Sequence, residues 1–347
     1  MLRRVRFWTF VLAWAPGTVL AQAADTSATL RLIAVGDVNL GRSLGQRILR
    51  GETDYPFHAL RDWFSGADAV FANLESPISD QHGETESPRS NVVFCAPPVA
   101  ADVLRAAGIS VVSTANNHAA DYGATGIAET IAFLHQAGVQ PVGTTVDAAG
   151  TFAPAILDRH GIRVAIVAFT QFVNGRAAWE QSISLFDSSG VRRQIDSVRS
   201  HADVVIASFH GGREYASDAD TVTEQQMRYL IDAGADIVLA HHPHVAWGVE
   251  EYRGHLIFRS LGNCVFYQPQ RRWADVGLAA ELVWTRRDGR VVLRSARFQP
   301  LRTGFQPTRD VSPQRQRALF ERLRRRSTVP LIQEQSAYAV DLHGIHS

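Results

Sequence analysis

The chain has 347 residues, 46% hydrophobic and 20% charged, which is enough for a sizeable core and rules out wholesale disorder. Its 35 basic residues nearly balance 34 acidic ones, which argues against a general nucleic-acid binder, so no nucleic-acid partner is expected. All 35 are arginine, which excludes chemistry that needs a lysine amine, and only two cysteines, Cys95 and Cys264, exclude a disulfide framework or a four-cysteine zinc site.

Arg3, Arg4 and Arg6 precede an apolar run from Phe7 to Leu20, followed by Ala21-Gln22-Ala23. This is the charged, apolar, small-residue order of a secretory signal, with cleavage expected after Ala23 and a retained anchor as the alternative. Its removal takes away three arginines and no acid, so the net charge moves from +1 to −2. The expectation is a near-neutral exported protein, periplasmic or at the cell surface.

From residue 24 to 347 one domain is expected. Short apolar runs predict strands at 30–35, 69–72, 109–113, 163–169, 203–209 and 235–239. Helical patterns fall between them at 98–107, 123–137, 190–201 and 221–233. Such alternation implies a parallel sheet in an α/β layer architecture. After Trp247 the pattern changes to two hairpins, turning at Arg253-Gly254 and Asp288-Gly289, so the C-terminal part reads as antiparallel. A basic helix at 314–326 follows.

Polar clusters fall at the C-terminal ends of successive strands, where open α/β sheets place their ligand crevice. They contain Asp37, Glu75, Asn117 with His118, His210, and His242 with His244. Each has an ordinary reading alone: a turn aspartate, a solvated glutamate, a core histidine, a surface histidine patch. Gathered at strand ends they read as a metal site. Carboxylates bridge and neutralise divalent ions, while imidazoles fix geometry, and a pair of ions about 4 Å apart suits hydrolytic chemistry. The two glycines after His210 suggest close backbone approach.

Several segments resemble the CapA family of bacterial capsule (poly-γ-glutamate) synthesis proteins, related to calcineurin-like metallophosphoesterases. They are Ala34 to Arg42, Ala72-Asn73-Leu74-Glu75, Phe94 to Pro98, Ala115-Asn116-Asn117-His118 with Asp121-Tyr122-Gly123, and His210 to Tyr215. Gly234-Ala235-Asp236, His241 to His244 and Ser260 to Phe266 complete the series, in family order from about Leu30 to Gln268. The resemblance implies a four-layer α/β/β/α sandwich with one or two divalent ions (manganese, iron or zinc) at the edge of the sheets. It places metal ligands at Asp37, Glu75 as the bridging carboxylate, Asn117, His210, His242 and His244. His118 takes the place of the histidine that contacts substrate and protonates a leaving group.

Two positions depart from the wider superfamily. Asn39 stands where a histidine ligand is usual, as a weaker oxygen donor, and Ala119 stands where an acid is usual. Asp121 then either orients His118 or caps the helix starting near Gly123. Arg42 and Arg213 either bind an anionic substrate or pair with Glu214 or another acid, and Glu214 either assists His210 or faces solvent. Trp247 and Tyr267 either line a groove or pack, and Cys95 and Cys264 form a disulfide or stay as buried thiols.

The family likeness implies a role in synthesis, export or retention of an anionic capsule polymer. It carries two alternatives, a periplasmic phosphoesterase unrelated to capsule and a non-catalytic partner of membrane capsule synthase subunits.

Overall fold

The computed structural model describes residues 28–147, 149–174 and 181–342. The expected signal, Met1 to Ala23, lies outside the described residues.

In chain order, β1 (Thr29–Val38) leads through α1 (Arg42–Leu49) and α2 (Arg61–Ser65) to β2 (Ala69–Leu74). A ribbon of β3 (Glu86–Ser87) and β4 (Ser90–Phe94) precedes α3 (Ala100–Ala106), β5 (Val111–Ser113), α4 (Gly123–Ala137) and β6 (Gln140–Val142). The hairpin of β7 (Ala155–Arg159) and β8 (Ile162–Thr170) opens the second half. It continues through α5 (Ser188–Arg199), β9 (Val204–His210), α6 (Thr221–Asp232) and β10 (Ile237–His241). Then come β11 (Val249–Tyr252), β12 (His255–Phe258), β13 (Asn263–Val265), β14 (Val276–Arg287) and β15 (Arg290–Arg302). Helix α7 (Pro313–Arg324) and the short strands β16 (Leu331–Gln333) and β17 (Tyr338–Val340) close the described chain.

These strands make two large sheets. One runs β16-β17-β15-β14-β1-β2-β5-β6, with β13 also beside β1; the other runs β11-β12-β10-β9-β8-β7. The period-2 pattern of the strands explains the stacking. Leu30, Leu32 and Ala34 of β1 meet Val164, Ile166, Ile206 and Leu239 from the other sheet in one shared core. The alternate residues Ile33 and Val35 pack under the helices that carry Leu44, Leu104 and Leu134. On the far side Val167, Val205 and Ala207 pack under Val191, Ile195, Met227 and Leu230 of α5 and α6. The order of layers is therefore helices, sheet, sheet, helices, as expected. None of the described helices is long and apolar enough to cross a membrane.

Helix starts follow local chemistry. Asp187 accepts from the Ser189 and Gly190 amides, so α5 begins two residues before the apolar pattern does. Asp220 caps α6 through Thr223 N–H. The Arg253-Gly254 and Asp288-Gly289 hairpins turn with all four residues at positive φ, as a tight two-residue turn requires.

Three features differ from the sequence pattern. The β7 strand has only a three-residue apolar run, Ala155 to Leu157, and lies at a sheet edge with alternate residues exposed. Strand β12 completes its hairpin with β11 yet lies parallel to β10. The antiparallel C-terminal strands extend the first sheet, since β14 pairs with β1 from Thr29 to Val35.

Cys95 and Cys264 are buried free thiols, and burial pushes Cys95 up to about 12. Trp247 packs, with its indole N–H donated to Ala216 O at 2.9 Å. Tyr267 stays 53% exposed and pairs with Phe305, ring centroids 4.6 Å apart.

Candidate metal centre

Register gathers the strand ends. Asp37 on β1 pairs with Asn73 on β2 and Asn263 on β13, Asn73 pairs with Ser113 on β5, and His210 on β9 pairs with His241 on β10. The glycine before Asp37 makes this possible: a Cβ at Gly36 would lie 1.8 Å from Gly262 O, where Asp37 N–H donates at 2.9 Å. After His210, a Cβ at Gly211 would meet the Phe209 ring at 2.8 Å. Gly212 has φ +100° and donates its N–H to Gln171 Oε1 at 2.8 Å, which is the close approach the double glycine suggests.

Two donor groups form there. Glu75, His210 and His242 offer ligand atoms within 4.8 Å of one another, and so do Asp37, Glu75 and His244. Glu75 belongs to both. Asn117 adjoins the first group, its Oδ1 2.8 Å from His210 Nε2. All of these side chains are buried.

A second tier of amides holds the donors. Asn73 Nδ2 donates to Asp37 Oδ1 at 2.9 Å and lies 3.2 Å from His210 Nδ1, linking the two groups. Asn263 Oδ1 lies 3.0 Å from His244 Nδ1, which also lies 3.1 Å from Asp37 Oδ2. Asn116 donates to Leu74 O at 2.8 Å and accepts His118 N–H at 3.1 Å. His242 and His244 sit at φ 97° and 61°, a conformation that side chains other than glycine rarely adopt and that a constrained site sustains.

The electrostatics are those of a deeply buried site, where desolvation is the leading influence on every shifted group. Burial first, then the Asp37 charge, pushes Glu75 well above the ordinary carboxyl range. Asp37 resists the same burial because the His244 hydrogen bond and charge, with His241, hold it below its ordinary value. Burial, then neighbouring imidazoles, holds His210 well below its usual value. His242 is pushed down to about 3, by burial and then His244, and His241 down to about 4 by burial. Imidazoles kept neutral in this way are in the form that binds a metal. Glu75 Oε1 and His242 Nδ1 are buried without a hydrogen-bond partner among the described residues. Buried donors left unmatched inside two carboxylate–imidazole groups fit divalent ions.

The remaining expected residues separate into two sets. His118 and Asp121 are together: Nδ1 lies 2.9 Å from Asp121 Oδ2, which also accepts Phe94 N–H at 2.9 Å. Asp121 makes no cap to α4. Arg42, Arg213 and Glu214 line the same open cleft as His118, Asn117, His242 and His244, a space of about 860 Å³. Arg42 faces Glu86 at 3.8 Å and lies 4.2 Å over the Phe94 ring. Neither Arg213 nor Glu214 makes an ion pair among the described residues, and both are exposed. Asn39 stands apart: its Oδ1 accepts Gly41 N–H at 2.9 Å, and it lines a smaller hollow with Arg42, Tyr267 and Phe305.

The model for "Bacterial capsule synthesis protein PGA_cap" matches residues 31–268, which contain every donor named above. The chain belongs to this family. It is 33% identical over 257 residues to "Capsule biosynthesis protein CapA" of Bacillus anthracis, covering 72% of this chain and 62% of that protein. It is 30% identical over 249 residues to "PGA biosynthesis protein CapA" of Bacillus subtilis (strain 168), covering 70% and 65%. The chain thus spans somewhat under two thirds of the length of these relatives. Among solved structures it is similar to the calcineurin-like phosphoesterase YfkN of Bacillus subtilis, with TM-score 0.46 and 15% identity over 79% of this chain and 90% of that one.

In this PGA_cap member three further residues join the site, Asn73, Asn263 and His241, which the sequence motifs contain without marking a role for any of them. Asn73 and Asn263 lie within matched segments, Ala72 to Glu75 and Ser260 to Phe266, and Asn73 directly follows the apolar run 69–72. That position was the available signal. His241, with both ring nitrogens unpartnered among the described residues and Nδ1 3.7 Å from Asp37 Oδ1, was hidden beside two better-known histidines.

Proposed function

We propose that this chain is an exported hydrolase that acts on an anionic capsule polymer, of the poly-γ-glutamate kind, through a two-ion centre. The observation that carries the reading is Glu75, the one carboxylate common to both donor groups. Glu75, His210, His242 and Asn117 would hold one ion, and Asp37, Glu75 and His244 the other, as manganese, iron or zinc. When bound, such a pair supplies an activated water and a clamp for the attacking and leaving oxygens.

The chain's own residues do the rest. Asp121 fixes the His118 tautomer through Nδ1 and leaves Nε2 to protonate a leaving group. Phe94 N–H holds Asp121 in turn, and the Phe94 ring lies against the imidazole with centroids 4.1 Å apart. Arg42 and Arg213 on the cleft wall orient the anionic groups of the polymer. The family and its relatives support the capsule role, and membrane synthase subunits are the partners it would serve.

A second reading has support from Asn39. With its oxygen committed to Gly41 N–H, the Asp37 group has one donor fewer than the superfamily pattern, which favours a single-ion or non-catalytic partner protein. The test is hydrolysis by the manganese-, iron- or zinc-loaded chain of a γ-linked polyglutamate and of an aryl phosphoester, beside complementation of a capsule-deficient deletion by Asp37→Ala. Cleavage of the polymer with failed complementation supports the first reading. Full complementation by Asp37→Ala supports the second, and cleavage of the phosphoester alone removes the capsule substrate.

A further inference from the structure

Two arginine–aromatic stations sit on one small apolar cluster, and only one of them lies in the cleft. Tyr215 and Trp273 both pack against Val245, Trp247 and Ala274. Tyr215 lines the cleft, with the Arg271 guanidinium 4.5 Å over its ring. Trp273, two residues on from Arg271, is outside it. Its ring carries Arg315 at 3.9 Å, Arg322 at 5.3 Å and Arg272 at 6.0 Å. Arg326 joins this group through a hydrogen bond to Arg322 O at 3.3 Å.

The acids nearby neutralise it only in part. Asp275 pairs with Arg315, and Asp218 is drawn 3.1 Å from Arg259. Arg272 and Arg322 have no carboxylate partner among the described residues; Arg322 donates to the carbonyls of Ala246 and Ser217. Burial, then Arg326, Arg272 and Arg315, lowers Arg322 to about 10, against the opposing charge of Asp218. Stacking on a ring leaves in-plane N–H groups available to carboxylate or phosphate oxygens, and those of Arg272 have no hydrogen-bond or ion-pair partner among the described residues. Crowded like charges are relieved by an anion, and side-by-side stations suit a chain that carries anions at regular intervals.

We infer that the Trp273 arginine cluster is a second anion-binding station, which holds the part of a long linear polyanion that runs out of the cleft past Arg271. The inference rests on the cleft being where the anionic chain reacts. It adds a length requirement: short anionic chains occupy the cleft alone, and long ones engage both stations. Continuity with the cleft favours a soluble chain over a membrane surface as the occupant.

The experiment uses the full chain, wild type, Arg272→Gln and Arg272→Gln/Arg315→Gln. Binding is measured by calorimetry, with chelator and with manganese, to polyglutamate of a few residues and of several tens of residues. Inorganic polyphosphate of matched charge separates phosphate from carboxylate recognition, and vesicles with anionic lipid test the membrane. The expected result is long-chain affinity weakened about tenfold or more in the double variant, less in the single one, with short-chain affinity and thermal midpoint unchanged. The long-chain preference should also fade as salt is raised. Equal affinity of wild type and variants for long chains, equal losses for short and long ones, or variant-sensitive binding to vesicles without chain-length dependence would overturn it. Long-chain binding by the manganese-loaded chain without any hydrolysis would sustain this station while removing the hydrolase reading.

Discussion

Asp121 Oδ2 lies 2.9 Å from His118 Nδ1 and is itself pinned by Phe94 N–H, so the imidazole is held from behind by a buried, oriented carboxylate. His118 belongs to neither donor group, so under the proposed mechanism its substitution should leave the metal in place. His118→Ala should lower kcat by about 10²-fold or more, the usual worth of a positioned acid, with metal content unchanged. Asp121→Asn keeps an oxygen for Phe94 N–H but loses the charge, and should cost a smaller part of the same factor. Steady-state kinetics beside metal analysis checks both; loss of metal in His118→Ala would contradict that expectation.

Asn73 and Asn263 should prove as important to metal affinity as some ligands. Each holds a donor from behind, Asn73 at Asp37 Oδ1 and Asn263 at His244 Nδ1. Substitution of either by alanine should weaken metal binding about 10–100-fold, as for other outer partners of metal ligands. Titration of the metal-stripped variants measures it, and unchanged affinity in both would show that the amides only fill space.

Four of the donors were legible because they end apolar runs. Asp37, Glu75, His210 and His242 each follow or finish a strand, and a sheet's edge is a place where distant residues meet. The layer order was legible for the same reason, since alternation of strands and helices constrains it. Asn39 was not: its chemistry permits ligation, and only the turn to Gly41 shows its oxygen is engaged. Asp121 was ambiguous because capping and orienting look alike in sequence; the Phe94 amide decides the geometry. The pairing of β14 with β1 brings residues over 200 positions apart together, and no local pattern encodes it.

Acid should destabilise the metal-free chain. His210, His241 and His242 have folded values below the ordinary 6.5, about 4 for His241 and about 3 for His242. Between about pH 4 and 6.5 the unfolded chain therefore binds more protons than the folded one, and stability falls as pH falls. Asp37, lowered by His244, adds stability that is lost only at still lower pH, below its ordinary 3.8. Glu75 acts oppositely: its raised value contributes stability at low pH that is lost as pH rises through the folded value. Three imidazoles outweigh one carboxyl, so the chelator-stripped midpoint should fall by roughly 5 °C or more from about pH 7.5 to about pH 5. A flat or rising midpoint would contradict this assignment of charge.

Gly36→Ala should fail locally and at the site together. Its Cβ would overlap Gly262 O, so the β1–β13 contact must open, at about 1–3 kcal/mol or more. Asp37 N–H is anchored to that same carbonyl, so metal affinity should drop in the fraction that folds. Denaturant unfolding with metal titration checks it, and wild-type values in both would show that the strand ends are not rigidly apposed.

The most direct test of the account is calorimetric metal stoichiometry of the chelator-stripped chain, wild type beside Glu75→Ala, His242→Ala and His244→Ala, with manganese, iron(II) and zinc. A centre built around a shared Glu75 predicts two ions in the wild type, one in each histidine variant and neither held tightly in Glu75→Ala. A single ion in the wild type, or two ions retained in Glu75→Ala, would contradict it.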